Sequence, residues 1–210
     1  MALSAGTLPR AARWGLVAAS ALSLLMAGVA AGRRLSDAAA SSRLPVLGEV
    51  PAFSLVDQAG RPVTSQTLRG QVWIADFIFT RCAGQCPMMS EQMAGLAQSL
   101  GRLPVQCVSF SVDPAYDRPE VLSAYAARYH ADPARWRLLT GEPEAIRRLC
   151  QDGFKLSMAD GGSPQEPVVH SRRFVLVDRQ GRIRGYFDAG EASEMAALRR
   201  AAQGLAEERE

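Results

Sequence analysis

No acidic residue occurs before Asp37, lysine occurs once, at Lys155, and histidine twice, at His130 and His170. Four arginines, Arg10, Arg13, Arg33 and Arg34, stand in that acid-free stretch, and they account for the formal charge of +3. From residue 35 onward 20 basic residues meet 21 acidic ones. Phosphate binding needs a basic surplus on the folded domain, so nucleic acid is excluded as a partner. Internal repeats and low-complexity segments are also missing, and 48% hydrophobic residues argue against disorder. About 175 residues beyond the leader suit one domain with a sizeable core.

The acid-free stretch divides into a short tail (1–13), an uncharged run of 19 residues from Trp14 to Gly32, and a linker (33–48) with Ser36, Ser41, Ser42 and Pro45 and no apolar periodicity. At about 1.5 Å per residue the run just crosses a hydrocarbon layer of roughly 30 Å. Its length and its arginine bracket favour an uncleaved transmembrane anchor over a signal peptide cut near Val29-Ala30-Ala31. Either reading exports the domain. The expected location is the bacterial inner membrane, single-pass, with the domain in the periplasm; the alternative is release into the periplasm after cleavage.

The remainder, 49–206, alternates strand and helix. Phe53–Val56 and Arg61–Thr64 flank an Asp57-to-Gly60 turn and predict a hairpin. Val72–Phe79 is nearly continuous apolar sequence, as in a central strand buried on both faces. Met89, Met93, Leu96 and Leu100 share one helix face, and Val105–Val112 is the next strand. Asp117, with Glu120 three residues on and Pro119 in the first turn, predicts the cap of a second helix whose Val121, Leu122, Tyr125 and Tyr129 share a face. A third helix is expected from Thr140 to about Asp152, then a hairpin (Phe174–Asp178 and Arg182–Phe187), then a closing helix with Met195, Leu198, Ala202 and Leu205 inward. The fold class is α/β and thioredoxin-like: a mixed central sheet flanked by helices, with an N-terminal β-hairpin, preceded by one transmembrane or signal helix.

Cys82 and Cys86 follow the central strand and open a helix, with Pro87 suited to the first helical position. Ligands bind at the carboxyl ends of strands in open α/β sheets. The helix N-terminus and Arg81 should favour thiolate, the form that attacks disulfides and the form that binds metal. Three intervening residues, one more than in a thioredoxin dithiol, let both sulfurs converge on one metal. His170 lies four residues before the strand at Phe174, in a loop that thioredoxin-like domains pack against the cysteine motif, and is the expected third ligand. Two thiolates and an imidazole favour copper(I), zinc or, with distortion, copper(II), whereas structural zinc wants a fourth protein ligand. His130, at the end of the second helix, suits a capping or surface role. Met89 fits the core pattern, and Met88 could add a thioether. Cys107 and Cys150 read as buried thiols. Asp113 either closes an Asx turn with Pro114 or tunes the site from behind the ligands.

Phe79-Thr80-Arg81-Cys82 with Cys86-Pro87, then Ser111-Val112-Asp113-Pro114, then His170-Ser171 and Asp178-Arg179-Gln180-Gly181 resemble the Sco/SenC family of membrane-anchored, thioredoxin-fold copper proteins over roughly residues 49–205. Ala83 stands where that family commonly has proline, and Val169 where an acidic residue often precedes the histidine. The resemblance implies one copper ion, Cu(I) or Cu(II), per monomer on Cys82, Cys86 and His170. It also implies a chaperone that delivers copper to, or reduces the cysteines of, the copper A domain of cytochrome c oxidase subunit II, alongside other periplasmic copper chaperones or thiol reductases. The protein is then a metallochaperone before it is an enzyme, with thiol-disulfide reductase activity as a second capacity. Two alternatives stay open: an envelope thiol-disulfide oxidoreductase or thiol peroxidase that uses Cys82 and Cys86 without metal, and a copper-responsive sensor acting through a membrane partner.

Overall fold

The computed structural model describes residues 44–156 and 171–208, with the backbone of 26, 28, 158–159 and 168–169. The expected membrane segment, apart from residues 26 and 28, most of the linker, and His170 lie outside the described residues. Among the described residues no helix is long and apolar enough to cross a membrane.

In chain order the strands begin with β1 (Gly48–Glu49), β2 (Ser54–Asp57), β3 (Pro62–Thr64) and β4 (Val72–Ile78). Helix α1 (Gln85–Ser99), β5 (Val105–Ser111), α2 (Pro119–Arg128), β6 (Trp136–Thr140) and α3 (Pro143–Arg148) follow. The chain continues through β7 (Met158–Ala159), β8 (Val168–Val169), β9 (Arg173–Val177), β10 (Arg182–Asp188) and α4 (Ala192–Glu207). Eight strands form one sheet in the order β1-β10-β9-β4-β5-β6-β2-β3, and β7 pairs with β8 separately. β4, β5 and β6 are parallel, while β9 and β2 join antiparallel on either side.

All seven residues of β4 are buried, as its apolar run requires. One face of the sheet is aromatic: Phe77 stacks on Phe110 at 5.1 Å, and Phe154 meets both rings edge-on or tilted. Alternation puts Ile74, Asp76 and Ile78 on the other face, beside their register partners Cys107, Ser109 and Ser111. Met89, Met93 and Leu96 of α1 are buried at the expected spacing, and the Ser90 and Tyr125 hydroxyls, 2.8 Å apart, tie α1 to α2.

Both predicted hairpins form, and they share one device. Asp57 accepts from Ala59 N–H and Arg61 N–H at 2.9 Å, with Gly60 at φ 73°. Asp178 accepts from Gln180 N–H at 3.0 Å and Arg182 N–H at 2.9 Å, with Gly181 at φ 74°. A left-handed residue at that point is cheapest as glycine. Arg179 then donates to the Leu205, Ala206 and Glu208 carbonyls and closes the end of α4.

Three expectations change. Trp136–Thr140 is a strand, so Thr140 ends β6 and does not start a helix; α3 is capped by Glu142, whose carboxylate accepts from Glu144 N–H, and continues into a π-turn at Leu149–Gly153. Asp117 does not cap α2: Arg118 holds the cap position without a side-chain bond, and the Asp117 carboxylate turns inward. Pro87 is the third residue of α1, still within its first turn.

Candidate metal centre

β4 ends at Ile78 and the chain runs through Phe79, Thr80 and Arg81 into Cys82, then through Gly84, the N-cap of α1, to Cys86 in its first turn. The two thiols differ. Cys82 is partly exposed, whereas Cys86 is 7% exposed and packs into the core, and none of the four cysteines is in a disulfide. Burial pushes the Cys86 thiol well above its ordinary value, and the adjacent Cys82 and Asp76 add to the shift. Its protonated form is therefore favoured, contrary to the thiolate expected from the helix N-terminus. Nor is Arg81 a free positive charge for the thiols, because it donates from Nε and Nη2 to Asp113 Oδ2, at 3.1 and 2.5 Å.

Asp113 is thus an ion-pair partner behind the cysteine loop. Its carbonyl closes a turn by accepting from Tyr116 N–H and Asp117 N–H, at 3.0 and 2.8 Å, and the Arg81 guanidinium lies 4.3 Å over the Tyr116 ring. The turn is thus closed by the Asp113 backbone carbonyl and not by its side chain as in an Asx turn, while the carboxylate is taken up by Arg81. Among the described residues no three His, Cys, Asp or Glu side chains come together to hold a metal. Met88 is half-buried against the core, and Met89 is wholly within it. His130 is exposed and ends α2 in a left-handed conformation, φ 53°, with its N–H on the Ala127 carbonyl. Burial pushes Cys107 and Cys150 each up to about 12, so both behave as inert thiols, as expected.

The antiparallel register of β9 on β4, Ala75 opposite Val175 and Trp73 opposite Val177, starts β9 at the end where β4 finishes.

Two residues escaped the sequence reading. Asp76, in the middle of β4, is 0% exposed, and neither carboxyl oxygen has a hydrogen-bond partner. Burial pushes its carboxyl up to about 7; the neighbouring Ser109, whose Oγ accepts from Trp136 Nε1 at 2.9 Å, and the local backbone counter this only in part. The signal was a lone acid inside an apolar run. Asp117 is the other, likewise 0% exposed; the capping pattern around it concealed its inward contacts.

The SCO1/SenC family model matches residues 46–203. A putative copper-binding protein of Stutzerimonas stutzeri is 33% identical over 162 residues, 74% of this chain and 76% of that protein. The crystal structure of a SCO1/SenC family lipoprotein from Bacillus anthracis is 34% identical and superposes with a TM-score of 0.72, covering 79% of this chain and 99% of that one. BsSco, a member of the Sco family of cytochrome c oxidase assembly proteins in which a disulfide switch was identified, is 32% identical with a TM-score of 0.65, covering 75% of this chain and 95% of that one. A shared mixed α/β architecture, the cysteine pair at the end of its central strand and a family match over three quarters of the sequence agree: the chain belongs to the SCO1/SenC family.

Proposed function

We propose that this protein is a copper chaperone which binds one copper ion per monomer through Cys82, Cys86 and His170 and passes it to the copper A domain of cytochrome c oxidase subunit II. In this reading residues 14–32 anchor it in the bacterial inner membrane with the domain in the periplasm. The observation that carries the proposal is the arrangement at one end of the sheet: Cys82 on the loop after β4, Cys86 in the first turn of α1, and β9 starting at the end where β4 finishes. The donor set is soft and three-coordinate, which suits copper and leaves a structural zinc one ligand short. The copper-binding relative and the oxidase-assembly relative support the same reading.

Anaerobic titration of the reduced full chain in detergent with copper(I) and copper(II) tests it. The expected result is one copper per monomer, at least tenfold weaker binding in His170→Ala and loss of binding in Cys82→Ser. Unchanged affinity in His170→Ala overturns it.

The asymmetry of the two thiols favours a second capacity. A partly exposed Cys82 suits attack on an external disulfide, and a buried Cys86, kept protonated until it gives up its proton to attack Cys82, suits later resolution of the mixed disulfide. Such a dithiol would reduce the cysteines of the recipient site before copper is passed on.

A further inference from the structure

Thr80 and Arg81, immediately before Cys82, are gripped by one short loop. The Asp117 carboxylate accepts three hydrogen bonds: from Thr80 N–H at 3.0 Å, from the Thr80 hydroxyl at 2.5 Å and from the Ser111 hydroxyl at 2.6 Å. Asp113, four residues earlier, takes Arg81 in an ion pair, and its carbonyl accepts the Asp117 N–H at 2.8 Å, so the two aspartates form one unit. Ser111 Oγ also accepts the Asp113 N–H at 3.2 Å, tying the loop to the end of β5. Beyond Cys82 nothing comparable exists among the described residues. Gly84 caps α1 without a side-chain bond, and a Cβ there would meet only Cys82 Sγ, at 3.9 Å.

We propose that Asp117 is a positioning residue of the copper site: by holding Thr80 to the end of β5 it fixes where Cys82 stands relative to Cys86. The inference rests on the reading of Cys82 and Cys86 as the copper and redox pair. Cys86 is held by the core and by α1, so with Asp117 in place any approach of the two sulfurs is confined to residues 83–85. Releasing Thr80 lets 80–82 share that movement, and the disulfide becomes easier to close. Closure forms one S–S bond between Cys82 and Cys86; the two thiols give up two electrons and two protons to glutathione disulfide, which becomes two glutathione molecules.

The experiment uses the full chain in detergent with Asp117→Asn, which keeps the shape and removes one acceptor oxygen, and Thr80→Val, which removes only the hydroxyl donor. Asp178→Asn is the control: that aspartate is 3% exposed, holds Arg182 and Arg184, and sits at the turn after β9, at the opposite end of β4. Equilibration with glutathione should show at least a tenfold shift toward the disulfide in Asp117→Asn, equivalent to about 30 mV for a two-electron couple. A smaller shift of the same sign is expected in Thr80→Val, and none in Asp178→Asn although its melting temperature falls. The thiolate-to-copper(II) absorption of the loaded protein should move in Asp117→Asn and stay in place in the control. If Asp117→Asn melts lower but keeps the wild-type glutathione equilibrium and absorption, Asp117 is merely structural and the proposal fails; if Asp117→Asn does not fold, an unchanged equilibrium in Thr80→Val overturns it. A wild-type chain that takes up no copper refutes the chaperone reading, while the glutathione equilibrium still decides the role of Asp117.

Discussion

Asp117 and Asp76 are both 0% exposed, Asp117 beside the segment that leads into Cys82 and Asp76 within β4, the strand before that segment. Asp117 receives three hydrogen bonds drawn from two separate segments, the β4 exit and the β5 end, whereas both oxygens of Asp76 lack a partner. The contrast shows that burial alone does not set the worth of a carboxyl group. Donors aimed at it convert a desolvated acid into a joint between strands, and without them the same group resists ionisation and weakens the fold.

The largest expected effect follows from breaking the joint. Asp117→Ala strands the buried Ser111 hydroxyl and the partly buried Thr80 N–H and hydroxyl, at a cost of about 3–5 kcal/mol. For a chain of this size that lowers the melting temperature by roughly 10 °C. Thermal unfolding followed by circular dichroism checks it; a loss below about 1 kcal/mol would mean that water replaces the carboxylate and that the joint holds nothing.

Asp76→Val should act in the opposite direction. Valine suits a strand buried on both faces and removes the unsatisfied acid. With the carboxyl moved from 3.8 to about 7, the wild-type penalty at pH 8 is on the order of 4 kcal/mol. Allowing for imperfect packing of the new side chain, Asp76→Val should gain about 2 kcal/mol at that pH in urea unfolding. The sign of the pH dependence follows from proton counts. Between pH 4 and 7 the folded chain keeps the Asp76 proton and the unfolded chain has released it, so wild-type stability falls as pH rises through this window and levels off above it. The difference between Asp76→Val and wild type should therefore run from a loss of about 1–2 kcal/mol at pH 4, change sign within the window and stay constant as a gain above pH 7. A pH-independent difference between the two proteins would show that Asp76 has a partner in solution.

The same contrast marks what the sequence made legible. Strand β4 declared itself by its apolar run, and both hairpins by the Asp-x-x-Gly-Arg turns at Asp57 and Asp178, because those signals are local. Cys82, Cys86 and Asp113 were found by spacing and adjacency, and the structure groups all three at one end of the sheet. β6 was missed because Trp136–Thr140 becomes a strand by pairing with β5, 29 residues away at Cys107↔Trp136, while Gly141-Glu142-Pro143 just after it resembles a helix start. β1 is two residues long and rests on β10, where buried Arg184 donates to the Leu44 and Pro45 carbonyls. No local pattern announces a partner about 140 residues distant. Asp117 carried a genuine capping signature, and three donors from other segments outcompeted it. Asp76 carried no signature except its sign inside an apolar run.

Asp57 separates local partners from distant ones. It is 1% exposed; burial raises its carboxyl, but the hydrogen bonds from Arg61 and Ala59 outweigh that and hold it below the usual carboxylate value. Its contribution is present above the unfolded carboxyl value and is lost as the pH falls through the lower folded one. All its donors come from its own turn, at the sheet edge where water can replace them. Asp57→Ala should therefore cost about 1–2 kcal/mol, less than Asp117→Ala, and its deficit should shrink below pH 4. Equal costs for the two variants would show that the span between partners is irrelevant.

The smallest effect completes the comparison by keeping the partner and removing the burial. Glu144 accepts from Arg147 Nη2 at 2.5 Å, with the two side chains 46% and 47% exposed. Contacts this short would count heavily in a buried site, but here water solvates both groups whether or not they meet. Glu144→Gln should change stability by no more than about 0.5 kcal/mol, and that difference should fade as salt is raised to 1 M. A loss matching that of Asp57→Ala would show that hydrogen-bond geometry, independent of exclusion from water, sets the value of a carboxylate in this protein. The distinction drawn between Asp117 and Asp76 would then have to be made on contact distances alone.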